Sequence, residues 1–388
     1  EEEMVDKIIG DHCTGCSACV NRCPRQAISF VSNKEGFWYP SISQNKCVHC
    51  NLCVSSCPIL KPKQNLNFSE PVVYAAWNKD EDVRIQSTSG GIFSALAKAF
   101  IRYGGCVIGA RYCDDFTIAH CIIEEEGDIP LLRQSKYAQS DLHDIFREIR
   151  RKLKSGEKVL FCGTPCQSAG LQSFLGKVYS NLYTCDFICR GIISPKVYRK
   201  FLSDMSRKNG SALKTVQFKN KDYGWNRFST KLGFQNETIY QEDRDHDFYM
   251  RGYLKHNLYL RPSCHNCKFK TFPRVSDLSL GDFWGIGNYQ KELDSDKGTS
   301  VILINSQKGK ELFAWMEDML VCSERTLAEV LAGNSCVLHS APIGEFRSYF
   351  FDHMDKMPFD KLIEKIEYRS QHLTLKEKLA KVIHKIIK

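Results

Sequence analysis

Cys13-Thr14-Gly15-Cys16-Ser17-Ala18-Cys19-Val20-Asn21-Arg22-Cys23-Pro24 is the stretch on which the reading of this chain turns. Its thiols follow the spacing C-x2-C-x2-C-x3-C-P. Cys47, Cys50, Cys53, Cys57 and Pro58 repeat it. Chains with this spacing wrap two four-iron cubes. Three thiolates on one tight loop reach three irons, and the small residues Gly15, Ser17 and Ala18 keep the loop compact. The fourth cysteine leads into a helix that points away, so it serves the other cluster. A first 4Fe–4S cluster is therefore expected on Cys13, Cys16, Cys19 and Cys57, and a second on Cys47, Cys50, Cys53 and Cys23. The proline after each fourth cysteine suits the start of a helix. Zinc takes four ligands, commonly as two separated pairs, and fits two identical quartets poorly.

Nineteen cysteines in 388 residues set the chain apart from an ordinary enzyme. A disulfide-rich secreted protein is the competing class. The start, Glu1–Glu3, is acidic and lacks the apolar run of a signal peptide. No run of about 18 apolar residues is present to span a membrane. The expectation is a cytoplasmic protein whose thiolates serve metals. The formal net charge of +9 suits an acidic partner, a phosphorylated cofactor or an anionic membrane face. Nucleic-acid binding would need a wider basic surface than Lys219–Arg227 offers.

Residues 1–63 resemble a two-cluster ferredoxin module. The polar stretch 61–71, with two prolines, reads as a boundary. Behind it, strand-like and helix-like segments alternate over 72–345, giving a mixed α+β and α/β fold. Val72–Trp77 reads as a strand, and the Ser87–Gly91 turn opens an amphipathic helix. Free N–H groups at such a start suit a phosphate, although a serine N-cap explains the same residues. Lys158–Phe161 reads as a strand running into Gly163-Thr164-Pro165-Cys166, with Thr164 as cap and Pro165 as first helical residue. Such a turn, after a strand's carboxyl end, is where open α/β sheets place ligands. Leu182–Ile188 is a third strand, and a helix starts at Ser194-Pro195. Trp284 suits either stacking on a planar cofactor or core filling. Cys185 reads as core, and Cys106, Cys113, Cys121, Cys322 and Cys336 as small buried hydrophobes. Gln241–Asp247 reads as a solvated charged loop. At the end, Leu375, Leu379, Val382, Ile383, Ile386 and Ile387 line one face of a basic amphipathic helix within a helical tail, 355–388. It suits peripheral contact with the inner membrane face, docking of a partner, or packing on its own domain.

Six short motifs occur in order: Ser87–Gly91, Ser135-Lys136-Tyr137, Phe161–Gln167, Cys189-x-Gly191, Cys264-x2-Cys267 and Gly281–Gly285. Together they resemble the beta-subunit family of coenzyme F420-reducing hydrogenases and dehydrogenases. The resemblance covers about residues 72–340. It implies a flavin-binding domain, with FAD rather than FMN, and a third 4Fe–4S cluster on Cys166, Cys189, Cys264 and Cys267. It also implies flavin contacts at Ser89, Gly90, Gly91, Lys136, Tyr137, Gly163, Thr164 and Pro165. Arg190 stands where many relatives carry histidine. The implied function is an oxidoreductase passing electrons between a ferredoxin-type carrier and a small organic substrate or deazaflavin. The alternative is an electron-transfer subunit whose catalysis lies in a partner subunit.

Overall fold

A computed structural model describes residues 4–372. The first unit is small. Strands β1 (Ile28–Ser32) and β2 (Trp38–Ile42) form an antiparallel hairpin, flanked by the short helices Ala18–Arg22 and Leu52–Ser55. Each helix lies ahead of its fourth cysteine, not behind it. Cys23 caps the end of the first helix in an extended conformation, φ −68° and ψ 113°. The following proline disfavours helical geometry in the residue before it, so the expected helix start becomes a helix stop.

The larger unit is built on an eight-stranded sheet. Its strands are β3 (Val72–Asn78), β4 (Gly105–Tyr112), β5 (Ile118–Ile123), β6 (Lys158–Gly163) and β7 (Leu182–Phe187). Three further strands, β8 (Leu213–Asn220), β9 (Ser229–Phe234) and β10 (Ile239–Asp243), form a separate antiparallel sheet. The large sheet is completed by β11 (Leu278–Asp282), β12 (Ser300–Ile304) and β13 (Leu320–Arg325). Its order is β13-β3-β12-β11-β7-β6-β4-β5, with β4, β6, β7 and β11 parallel and the flanking pairs antiparallel. Central strands are largely buried because helices cover both faces. Ser300-Val301-Ile302-Leu303-Ile304 is buried at every position.

Helices follow their local signals. Gly91, at φ +81°, opens Ile92–Arg102, which buries Ile92, Ala95, Leu96, Ala99 and Phe100 along one stripe. Thr164 and Gln167 close a capping box at the head of Pro165–Leu175, and Gly176 ends that helix in the left-handed region. Ser194 caps Pro195–Asn209. That helix shares a core with β8, β9 and the final described helix, Phe359–Gln371, which inserts Leu362, Ile363 and Ile366. This part of the expected tail is thus built into the larger unit. The amphipathic stretch from Leu375 onward lies outside the described residues.

The two units are pinned together. Glu35 pairs with Arg347 through two contacts of 2.5 and 2.6 Å. The connecting stretch is pinned too: Asn65 and Asn67 donate to the carbonyls of Pro273, Arg274, Val275 and Ser276. Gln241–Asp247 departs from its expectation. Asp243 and Asp247 are buried, and the Asp247 carboxylate caps Phe248–Met250. Tyr240 donates to it as well. Burial, opposed by these bonds, holds the Asp247 carboxyl up at about 6.

Candidate functional site: three thiol quartets and a cavity

The two cysteine runs fold into neighbouring pockets. Cys13, Cys16, Cys19 and Cys57 surround one, closed by Val5, Ile9 and Ile59. Cys23, Cys47, Cys50 and Cys53 surround the other. The fourth cysteine of each run thus sits with the first three of the other. All four thiols of the first pocket are buried, whereas Cys50 of the second is exposed. Burial pushes the Cys16 thiol up to about 12, and its neighbours Cys57 and Cys13 push it further the same way. Four buried thiolates that repel one another are stable only around compensating cations. This donor set fits an iron–sulfur cluster.

A third group of thiols assembles from distant segments. Cys166 lies in the first turn of Pro165–Leu175, Cys189 just beyond β7, and Cys264 and Cys267 around the turn Pro262–Asn266. Burial raises the Cys166 thiol well above its ordinary value. A contact with Thr164 Oγ1 at 3.0 Å opposes this, and Cys267, Cys189 and Cys264 add to it. Burial likewise lifts Cys189 to about 12 and Cys264 to about 11, each with thiol neighbours from the same group. The donor set has the same character as the first quartet. Among the described residues, no three His, Cys, Asp or Glu side chains converge as the ligands of a single metal ion would.

Cys189 also borders a cavity of about 490 Å³ at the carboxyl ends of β6 and β7. That volume lies within the range of small-molecule sites. Of the motif residues, Ser89, Gly91, Lys136, Tyr137, Gly163 and Thr164 line it. Gly90 and Pro165 do not. Gly90 is pressed against β3, where a Cβ would stand 2.5 Å from the carbonyl oxygen of Ala76. Pro165 is buried as the first residue of its helix.

Lys136 borders the cavity, but its ammonium is committed to backbone. Nζ donates to the carbonyls of Leu132, Arg133 and Gln134 at 3.3, 2.8 and 3.2 Å. Burial pulls its pKa down to about 7. Arg190 also reaches the cavity wall, anchored at Asn257 Oδ1 (2.6 Å) and the carbonyl of Leu254. Trp284 takes the packing role foreseen for it and also faces the cavity. It lines the cavity and stacks on buried Trp225 at 4.5 Å and 9°.

Several features of the lining were not foreseen. Lys219 pairs with Asp282, which also accepts from Trp225 Nε1 at 2.8 Å. His120 on β5 is buried, donates through Nε2 to the carbonyl of Cys162 at 3.1 Å, and stacks on Phe161. Burial lowers its pKa to about 4, so the ring is neutral near pH 7. Cys336, expected as a buried hydrophobe, borders the cavity as well. The basic, aromatic stretch 219–227 and the Asp282 motif did hint at a rim, but nothing local paired Lys219 with Asp282.

Comparison with known proteins agrees with this architecture. Residues 12–59 match the family of 4Fe–4S dicluster domains. Residues 156–329 match the family described as the C terminus of the coenzyme F420 hydrogenase/dehydrogenase beta subunit. The chain is an iron–sulfur electron-transfer protein of mixed α/β fold. Residues 156–329 are thus similar to the C terminus of the coenzyme F420 hydrogenase/dehydrogenase beta subunit, with a 4Fe–4S dicluster domain ahead of them. Among solved structures, a chain of the F420-reducing NiFe hydrogenase complex from Methanosarcina barkeri is similar at 17% identity and a TM-score of 0.45. The match covers 78% of this chain and 94% of that one. None of the curated proteins compared with the chain matches it. No helix among the described residues is long and apolar enough to cross a membrane.

Proposed function

We propose that this protein is a flavin-dependent iron–sulfur oxidoreductase that exchanges electrons with a ferredoxin-type carrier and acts on a small organic substrate or a deazaflavin. The observation that carries the reading is the position of Cys189, shared between the third thiol quartet and the wall of the cavity. In this reading residues 1–63 are the entry module and 72–345 the flavin and iron–sulfur domain. Cys13, Cys16, Cys19 and Cys57 hold the first cluster, Cys23, Cys47, Cys50 and Cys53 the second. Cys166, Cys189, Cys264 and Cys267 hold a third.

The cavity residues fit an FAD. Ser89 and Gly91 stand at the start of the helix Ile92–Arg102, whose first N–H groups suit a phosphate. The backbone of Gly163 and Thr164 lines the same wall, and Trp284 offers an aromatic face. Lys136 contributes charge through the wall without donating a proton to the ligand, since its three protons go to carbonyls. When bound, FAD supplies the exchange between one-electron carriers and a two-electron hydride step. The protein's part is to hold the thiols, exclude water and present the cavity.

Exposure of Cys50 and Val48 gives the second reading its support, because a cluster at the surface suits a fixed partner subunit as well as a mobile carrier. Anaerobic purification separates the two: a stoichiometric partner favours the subunit, a lone active chain the enzyme. The deciding assay is iron, acid-labile sulfide and released flavin per chain. About twelve irons and one FAD are expected from three four-iron clusters. About eight irons without flavin would leave the entry module and sink the enzyme.

A further inference from the structure

The two cysteine runs share a spacing but face opposite surroundings. In the second, His49 and Cys50 are exposed. In the first, the corresponding loop residue is Gly15, at φ +70°, packed against the larger unit. A Cβ there would stand 2.5 Å from Gln139 Nε2 and 3.0 Å from Arg261 Nη1. The glycine lets this loop close onto an arginine.

Arg261 is fully buried. Its Nε donates to the carbonyl of Cys13 at 2.6 Å, Nη2 to the carbonyl of Trp38 at 2.8 Å, and Nη1 to Gln139 Oε1 at 3.1 Å. Every acceptor is neutral. Among the described residues no carboxylate pairs with it. Arg274 shows the contrast: equally buried, it has Asp186 at 2.8 Å. A buried guanidinium without a counter-ion is costly unless something anionic lies close by. The carbonyl of Arg261 accepts from the Cys264 N–H at 2.9 Å, so one residue ties the first cluster loop to the third quartet.

We infer that Arg261 is the fixed counter-charge of the buried iron–sulfur clusters and raises their reduction potential. The inference rests on the iron–sulfur reading of the first quartet. A cube with four thiolates is an anion, and it gains one further negative charge with each electron taken up. A nearby positive charge favours that reduced state. The exposed cluster has water for the same purpose. Arg261 acts through its field and is a positioning residue.

The test is an anaerobic redox titration followed by EPR, with iron counted in each protein. Arg261→Gln removes the charge, Arg261→Lys keeps it, and Gln139→Glu sets a carboxylate against the unaltered guanidinium at little change of shape. In Arg261→Gln and Gln139→Glu the reduction equilibrium of a buried cluster should fall about tenfold or more, which is about 59 mV for one electron. Arg261→Lys should stay within about threefold of the wild type. The exposed cluster, identified by broadening with an aqueous paramagnetic ion, should not move. Unmoved potentials in Gln139→Glu, equal shifts in the Lys and Gln proteins, or an equal shift of the exposed cluster would each overturn the inference. Should Arg261→Gln lose iron, Gln139→Glu decides alone. A wild-type protein with no cluster in its first quartet would overturn the iron–sulfur reading itself.

Discussion

A lysine beside a cofactor cavity would ordinarily be expected to reach for phosphate, and Lys136 does not. Its three protons bind the carbonyls that end the short helix Ile129–Leu132. Burial leaves it at about 7 in the folded protein, against 10.5 for the ordinary side chain. Between these values the unfolded chain binds more protons than the folded one, so stability rises with pH and is lost as pH falls toward 7. Between pH 7 and 9 this lysine should contribute about 2 kcal/mol of the change in unfolding free energy. Urea unfolding at the two pH values checks it: Lys136→Met should lose that part of the slope, and an identical slope in both proteins would refute the assignment. The two cysteine runs that form the first two pockets were legible because their spacing is local. The fate of Lys136 was not, since nothing in Ser135-Lys136-Tyr137 says where its ammonium turns.

Secondary structure followed the sequence closely wherever its signals were caps and periodicity. Thr164 and Pro165 take the cap and first helical positions as read, and Gln167 adds a capping box that was not foreseen. Thr164 does more, because its hydroxyl also touches Cys166 Sγ. Thr164→Ala should therefore destabilise the protein by about 1 kcal/mol through the lost cap, with Thr164→Ser largely neutral. Denaturant midpoints of the three proteins test this, and an unchanged midpoint in Thr164→Ala would show that the cap is not needed. Where the reading failed, a competing rule won. Pro24 and Pro58 mark helix ends because proline constrains the residue before it. Asp243 and Asp247 look solvated in a charged run, yet one accepts from Arg227 and the other caps a helix. Charge density alone cannot tell a surface loop from a buried cap.

At the scale of the molecule, the dicluster unit is held by many contacts, among them Arg147 to the carbonyls of Val20, Asn21 and Cys23 and Arg261 to those of Cys13 and Trp38. Glu35, at the tip of the β1–β2 hairpin, binds Arg347 in a largely buried pair. The carbonyl of Glu35 also accepts from Ser194 Oγ at 2.5 Å. Glu35→Ala leaves the guanidinium unpaired and should cost about 3 kcal/mol. It should also loosen the connecting stretch. Limited proteolysis should then cut within 61–71 in the variant at a protease level that spares the wild type; equal resistance would mean that the remaining contacts, those of Asn65 and Asn67 among them, suffice.

By itself the sequence determined the two cysteine runs, the mixed α/β order of strands and helices, and the starts of Pro165–Leu175 and Pro195–Asn209. Those depend on residues within about one or two turns of each other, where spacing and periodicity act directly. Only the tertiary structure decided which surfaces the two runs face, that Cys189 joins a quartet to a cavity, and that Lys219 meets Asp282. It alone brought Arg261 to Cys13, 248 residues away. Such contacts arise from how the sheet stacks and how the small unit docks. No local pattern encodes them, because burial and partner choice are properties of the packed whole.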